Sequence, residues 1–315
     1  MARVRTQGAA VLLAGLVLAT GCGPQGGARV GKLKVVATFS VLGDFVRNVA
    51  GDRVELVTLV GPDGDAHTFE PAPSDGVALA KADVIFENGV GLEPWLDGLY
   101  SSTQSKAERV VLTQELSLLK ADEPEGEKRK GGKEEHGDYD PHVWHDAQNA
   151  VRMVEAIRDA LARLDPDNAD AYKDAAADYV KQLRDLDRWV VEQVATVSPA
   201  NRKLVTNHDT FGYFSKHYGV ELLGTALGSL STETGDPSAA SFARLCESIK
   251  AAKVPAIFAE NVQNPKLMER LAQEAGVRLG PELYTDALGE PGSEGDTYLK
   301  MMRHNVTAIV GQLKS

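Results

Sequence analysis

The feature that most constrains this fold lies between Asp165 and Ser198. Asp165-Pro166 supplies an N-cap candidate followed by proline at the first helical position. Beyond it Tyr172, Ala176, Tyr179, Leu183, Leu186, Val190, Val194 and Val197 recur every three or four residues with no internal proline or glycine. The spacing predicts one amphipathic helix over 166–198. At ~1.5 Å per residue, about thirty residues reach on the order of 45 Å, enough for a stiff strut running the length of two lobes.

Short β-rich runs alternate with helical stretches on both sides of this strut. Before it, residues 32–40, 54–60, 82–89 and 109–114 read as buried strands, with helices expected at 41–50 and 74–81. After it, 203–208, 220–226, 255–260 and 277–285 read as strands, with helices at 239–252, 265–275 and 295–313. A chain of 315 residues, 43% hydrophobic, can fill one large or two medium cores. The expected fold class is α/β. Two lobes, 33–165 and 199–315, each carry a four-stranded parallel sheet flanked by helices and a core of its own, and the long rigid helix joins them.

The first 21 residues differ in kind: Arg3 and Arg5 precede an apolar run from Ala9 to Ala19 that is too short to span a bilayer, the pattern of a secretory signal. Ala19-Thr20-Gly21 ahead of Cys22 resembles a bacterial lipoprotein cleavage box, which would make Cys22 the lipidated N-terminus and attach the protein to a membrane. Residues 22–32, glycine-rich, read as a flexible tether. Only Cys246 then remains, so neither an intramolecular disulfide nor a cysteine-based zinc site is available. Removing the signal leaves 32 basic against 45 acidic side chains, a formal charge of −13, which disfavours nucleic acid as a partner. The Lys/Glu-rich segment 120–138 holds 7 acidic and 5 basic residues and reads as a solvated loop with His136 incidental to it.

Four of the seven histidines lie at or just beyond the ends of expected strands, where open α/β folds bind ligands. His67 sits in GPDGDAHTFEP, His142 and His145 in DPHVWHD, and His208 in TNHDTFGYF; Asp286 occupies the equivalent place in ELYTDALG. If the lobes face each other, His67, His142, His208 and Asp286 make three imidazoles and one carboxylate, a set suited to tetrahedral Zn2+ at ~2.0 to 2.2 Å. Taken singly, each is equally explained as an ordinary polar loop residue. An extended backbone would send His142 and His145 to opposite faces, so His145 is expected to support the site from behind or to lie on the surface. Glu260, ending the AIFAE strand, either orients a liganding imidazole or satisfies a turn. His217 and His304 are expected at the surface or in packing between elements.

The chain resembles the zinc- and manganese-binding solute receptors that serve ATP-binding-cassette importers. The resemblance rests on GPDGDAHTFEPAPSD (61–75), NGVGLEPWLDGL (88–99), DPHVWHDAQNA (140–150), TNHDTFGYF (206–214), STETGDPSAASFARLCESIK (231–250), AIFAENVQNPKLMERLAQEAGV (256–277) and LYTDALG (283–289), in order across nearly the whole mature chain. It implies two four-stranded α/β lobes joined by one long helix. It implies metal ligands at His67, His142, His208 and Asp286, cargo delivery to a membrane permease, and a monomer lipid-anchored outside the cytoplasm. Histidine at the third ligand position favours Zn2+ over Mn2+. Leucine is common in the family where His145 stands, and a His-rich loop is common in zinc receptors where this chain has 120–138.

An enzyme is disfavoured. HExxH, GxSxG and P-loop motifs are absent, and GVGLEP is a GxG fragment without the third glycine. A surface adhesin using metal purely for stability is the alternative from another class. Three imidazoles with ordinary pKa values of about 6.5 must be neutral to coordinate, so metal affinity is expected to fall as pH drops through ~6.

Overall fold

The computed structural model describes residues 1–2, 31–121, 138–233 and 235–314. The signal segment and tether with Cys22, and most of the charged loop with His136, lie outside the described residues. Chain contacts separate Met1–Gly31 from a single unit, Lys32–Ser315.

That unit begins with a four-stranded parallel sheet built from β1 (Leu33–Phe39), β2 (Val54–Val60), β3 (Val84–Glu87) and β4 (Glu108–Val111), in the order β2-β1-β3-β4. Helices α1 (Ser40–Ala50), α2 (Pro73–Lys81) and α3 (Leu96–Thr103) connect them. Side chains alternate along β1 with the two-residue period of a strand buried on both faces. Leu33, Val35, Ala37 and Phe39 enter the largest core, while Val36 joins Leu59, Leu79, Ile85, Leu96 and Ala107 on the other face.

Two helices follow. α4 (Ala147–Leu164) is not among the sequence expectations, although Ala150, Val154, Ile157 and Leu161 carry helical spacing and are buried. Its N-cap is Asp146, which accepts the Gln148 N–H at 2.8 Å. A turn of 3-10 helix at Pro166–Asn168 then leads into α5 (Ala169–Ala195), 27 residues or about 40 Å long. The expected strut is therefore present as α5, with α4 packed along it.

The later strands are β5 (Lys203–Thr206), β6 (Glu221–Thr225), β7 (Ala256–Ile257) and β8 (Arg278–Leu279), interleaved with α6 (Gly212–Tyr218), α7 (Ala239–Ala252) and α8 (Lys266–Ala275), and α9 (Tyr298–Leu313) ends the chain. Here the ladders are shorter than expected. β5 pairs with β6 and β7 with β8, both parallel, and β5 meets β7 through the Phe258 N–H on the Val205 carbonyl at 3.0 Å. Pro281, which has no N–H to donate, interrupts the β7–β8 ladder; pairing resumes as a bridge between Glu260 and Leu283.

The core also departs from one centre per lobe. The largest buried cluster joins the inner face of β1, α1, α4, α5 and α9 to Leu204, Phe211, Phe258 and Leu283, in or near the later strands. Among the described residues, separate clusters lie on the outer faces, around Leu79 and Ile85 and around Val205, Phe242 and Ile257. The reason is that the apolar stripe of α5 packs on α1 and α4 from the first half of the chain and on α6 and α9 from the second. α9, placed by sequence with the second lobe, docks on α1: the Tyr298 N–H and the Tyr179 hydroxyl donate to Asp44 at 3.1 and 3.2 Å, and the Phe45 and Tyr298 rings meet at 4.9 Å. Among the described residues, no helix is long and apolar enough to cross a membrane.

Candidate metal centre

Each of the four sequence candidates sits in a turn whose backbone is pinned by a carboxylate or a strand end. His67 lies midway along the loop between β2 and α2, where its N–H donates to Asp65 at 2.9 Å. His142 follows Asp140-Pro141, and its N–H donates to Asp140 Oδ1 at 2.9 Å. His208 lies just past β5, with its N–H on Glu260 Oε1 at 3.0 Å. Asp286 lies three residues beyond the bridge residue Leu283. His67 is 5% exposed and the other three are fully buried.

The structure brings these four together. His67 Nε2 lies 3.2 Å from His142 Nε2 and 3.4 Å from Asp286 Oδ2; His208 Nε2 lies 3.0 Å from Asp286 Oδ2, and His142 Nε2 lies 3.7 Å from Asp286 Oδ1. A tetrahedron with bonds of ~2.0 to 2.1 Å has edges of ~3.3 Å. The four donor groups thus already stand at about the spacing that one common ion requires. Buried His208 Nε2 and Asp286 Oδ2 face each other across this point and, among the described residues, make no well-aligned hydrogen bond to any other group.

Behind two of the imidazoles stand further carboxylates. Asp140 Oδ1 contacts His142 Nδ1 at 2.8 Å, and Glu260 Oε2 contacts His208 Nδ1 at 2.5 Å. A carboxylate at Nδ1 keeps a proton there and leaves the Nε2 lone pair free to coordinate. Glu260 is itself held by the Thr285 hydroxyl at 3.3 Å, and Thr210 donates to Asp286 Oδ1 at 3.3 Å. Sequence reasoning placed Glu260 near the cleft but missed Asp140. Its signal was the D-x-H spacing, in which an aspartate two residues ahead can cap the backbone and reach the ring.

Electrostatics separate the groups. Burial disfavours the charged form of His208, but the carboxylates of Glu260 and Asp286 outweigh it and raise its pKa well above the ordinary value. His142 is held well below it, chiefly by burial, with His208 and His67 adding to the effect. Burial pushes Asp286 up, yet the attraction of His208 and His142 leaves it well below the usual carboxylate range. Asp140 is pushed up to about 7, mainly by burial, with the Asp286 charge contributing.

Two expectations need correction. Residues 143–145 form a turn of 3-10 helix rather than an extended segment, and His145 is fully buried rather than on the surface. Its ring packs on Phe211 at 4.6 Å and Trp144 at 5.6 Å, and neither ring nitrogen has a hydrogen-bond partner among the described residues. Nor does it support a ligand through a side-chain bond; it is packing between the 140–146 and 208–214 segments. His217 fits the packing expectation: its nitrogens face Asp146 at 3.0 Å and Asp187 at 3.2 Å, tying α6 to α4 and α5, and both nitrogens are thereby occupied. His304 contacts Glu294 at 2.9 Å and the Glu282 carbonyl at 2.8 Å.

An α/β chain with a long helix and a buried cluster of imidazoles and carboxylate at the ends of parallel strands is the pattern of the metal-binding receptors of ATP-binding-cassette transporters. The chain belongs to the family described as zinc-uptake complex component A, periplasmic, whose family model matches residues 35–312. It is 35% identical over 307 residues to the manganese-binding lipoprotein MntA of Halalkalibacterium halodurans, covering 96% of this chain and 97% of that one. To the manganese ABC transporter substrate-binding lipoprotein PsaA of Streptococcus mitis it is 30% identical over 302 residues, covering 95% and 96%. Among solved structures, the periplasmic zinc binding protein TroA from Treponema pallidum superposes with a TM-score of 0.80 at 32% identity, over 90% of this chain and 100% of that one. The Mn-bound periplasmic metal binding protein of Candidatus Liberibacter asiaticus superposes with a TM-score of 0.77 at 26% identity, over 90% and 100%.

Proposed function

We propose that His67, His142, His208 and Asp286 enclose one Zn2+ ion as cargo and that the protein hands it to the permease of an ATP-binding-cassette importer. The observation that supports this reading is the spacing of the four donor groups, 3.0 to 3.7 Å apart at the contacts given above, which matches the edges of a tetrahedral site. Three imidazoles and one carboxylate suit zinc, and a closed set of four leaves no position for a reactive water, in keeping with a family of receptors rather than enzymes. In this reading the cleft lies between the lobes 33–165 and 199–315, joined by 166–198. A lipid on Cys22 holds the monomer at the outer face of the cytoplasmic membrane through the tether 22–32.

Manganese is the second reading, favoured by the names of the two relatives above. If both Asp286 oxygens bind, the site becomes five-coordinate and accommodates Mn2+ better. Zn2+ outranks Mn2+ in intrinsic affinity at nearly any such site, so affinity alone does not name the cargo. The test is elemental analysis of protein purified without added metal, with zinc–manganese competition and uptake in cells lacking and expressing the protein. Zinc in the purified protein and restored zinc uptake are expected; restored manganese uptake alone would overturn the zinc reading. Metal that cannot be removed without unfolding would favour the adhesin alternative.

A further inference from the structure

The segment Asn88–Trp95, NGVGLEPW, failed as a nucleotide-binding glycine motif, and none of its residues belongs to the four-donor set. Its geometry nevertheless ties it to both early histidines. The Asn88 side-chain amide donates to the Pro141 carbonyl at 2.9 Å, and Pro141 immediately precedes His142. The Trp95 indole N–H donates to the Ala66 carbonyl at 2.8 Å, and Ala66 immediately precedes His67. One short loop therefore holds the residue before each of two donors that lie 75 positions apart in the chain.

The loop is built to be rigid. Gly89, Val90 and Gly91 take consecutive positive φ angles of 79°, 57° and 78°. This conformation is unfavourable for a β-branched valine and persists only where the surroundings impose it. Glu93, 8% exposed, imposes it. Its Oε1 accepts the Asn88 N–H at 2.8 Å and the Thr38 hydroxyl at 2.7 Å, and its Oε2 accepts the Gly89 N–H at 3.0 Å. Asn88 is fully buried; the Thr113 hydroxyl donates to its backbone carbonyl at 2.6 Å, while its Oδ1 has no partner among the described residues. A buried amide that leaves its oxygen unmatched is oriented by what its nitrogen must reach, here the Pro141 carbonyl at 2.9 Å across the site and the Gly89 carbonyl at 3.1 Å within the loop. Val90 and Gly91 also line a small cavity shared with His67, Pro141, Leu230 and Ser231.

We propose that Asn88 and Trp95 are positioning residues that set the separation of the His67 and His142 imidazoles through the Ala66 and Pro141 carbonyls, with Glu93 locking the loop that carries them. The proposal rests on the reading of His67 and His142 as metal ligands. Its distinguishing consequence is geometric: weakening the brace changes the shape of the site as well as its strength.

The test uses the full chain with Zn2+ for affinity and Co2+ as a spectroscopic probe, whose visible ligand-field bands report the arrangement of the donors. Trp95→Phe keeps an aromatic ring beside Phe69, on which Trp95 packs at 4.9 Å, and removes the indole N–H together with the rest of the five-membered ring. Asn88→Ala removes the other tie, and His67→Ala serves as the control for the ligand assignment. Zinc affinity is expected to fall ~10-fold in Trp95→Phe, at the lower end for groups that orient ligands, with shifted Co2+ bands and a melting temperature of the metal-free protein close to wild type. Asn88→Ala follows the same pattern if it folds; Trp95→Phe decides the matter if it does not. Wild-type affinity and spectrum in Trp95→Phe would overturn the brace, as would weaker binding with an unchanged spectrum. Tight zinc binding in His67→Ala would instead overturn the ligand assignment beneath it.

Discussion

Glu260→Gln removes one charge and almost no volume, so its effect isolates what the carboxylate does for His208. In the wild type, Oε1 accepts the His208 backbone N–H at 3.0 Å while Oε2 faces the ring Nδ1 at 2.5 Å and accepts from Thr285 at 3.3 Å. Glutamine offers one accepting oxygen and one donating NH2. If the oxygen keeps the backbone N–H, the NH2 confronts Nδ1, so the neutral imidazole that coordination requires carries its proton on Nε2 and presents no lone pair to the metal. If the oxygen keeps Nδ1–H, a buried backbone N–H is orphaned at ~1–3 kcal/mol. Either arrangement should lower zinc affinity ~10- to 100-fold, or ~1.4 to 2.7 kcal/mol. Competition against a chromophoric chelator on metal-free protein at constant pH measures this. Glu260 also holds the proton on His208, so the variant should show a flatter dependence of affinity on pH. Zinc affinity within two-fold of wild type, with an unchanged pH profile, would refute the tautomer argument.

Proton competition in the wild type should come chiefly from His208. Its raised pKa means that metal must displace a proton throughout the neutral range, so affinity falls ~10-fold per unit as pH decreases; Asp140, at about 7, adds a second proton below that value, while His142, held neutral by burial, adds none. Calorimetry in buffers of different protonation enthalpy should find about one proton released at pH 7.5, and no release would contradict the scheme. His145→Leu should stabilise the protein by ~1 kcal/mol in denaturant unfolding, because it removes two buried unpartnered nitrogens, and should leave zinc affinity unchanged. Burial holds the His145 pKa down at about 3, so the unfolded chain takes up a proton that the folded one refuses. Wild-type stability therefore falls from pH ~6.5 toward that value, and the variant should lose this part of the slope.

Local chemistry was enough for the elements whose periodicity is long or whose ends are marked. The stripe from Tyr172 to Val194 specifies α5, β2 falls on Val54–Val60 as its composition predicts, and α7 ends at the expected Ala252. The four-donor cluster was also within reach, because ligands gather at strand ends and the motifs around His67, His142, His208 and Asp286 are distinctive.

What only the tertiary structure decided depends on contacts between distant segments, to which hydrophobic period and turn chemistry are blind. Glu260 reaches His208 across 52 positions, Asn88 reaches Pro141 across 53, and Trp95 reaches Ala66 across 29. His145 looks polar in DPHVWHD yet is sealed between Trp144 and Phe211, and α9 crosses to α1 because Asp44 offers its start a buried acceptor. A sequence sets which face of each element is apolar, and so which elements must be covered. Which carboxylate meets which imidazole is settled only when those faces close on one another, because a shift of one residue or a few ångströms makes or breaks a hydrogen bond while leaving the apolar pattern intact.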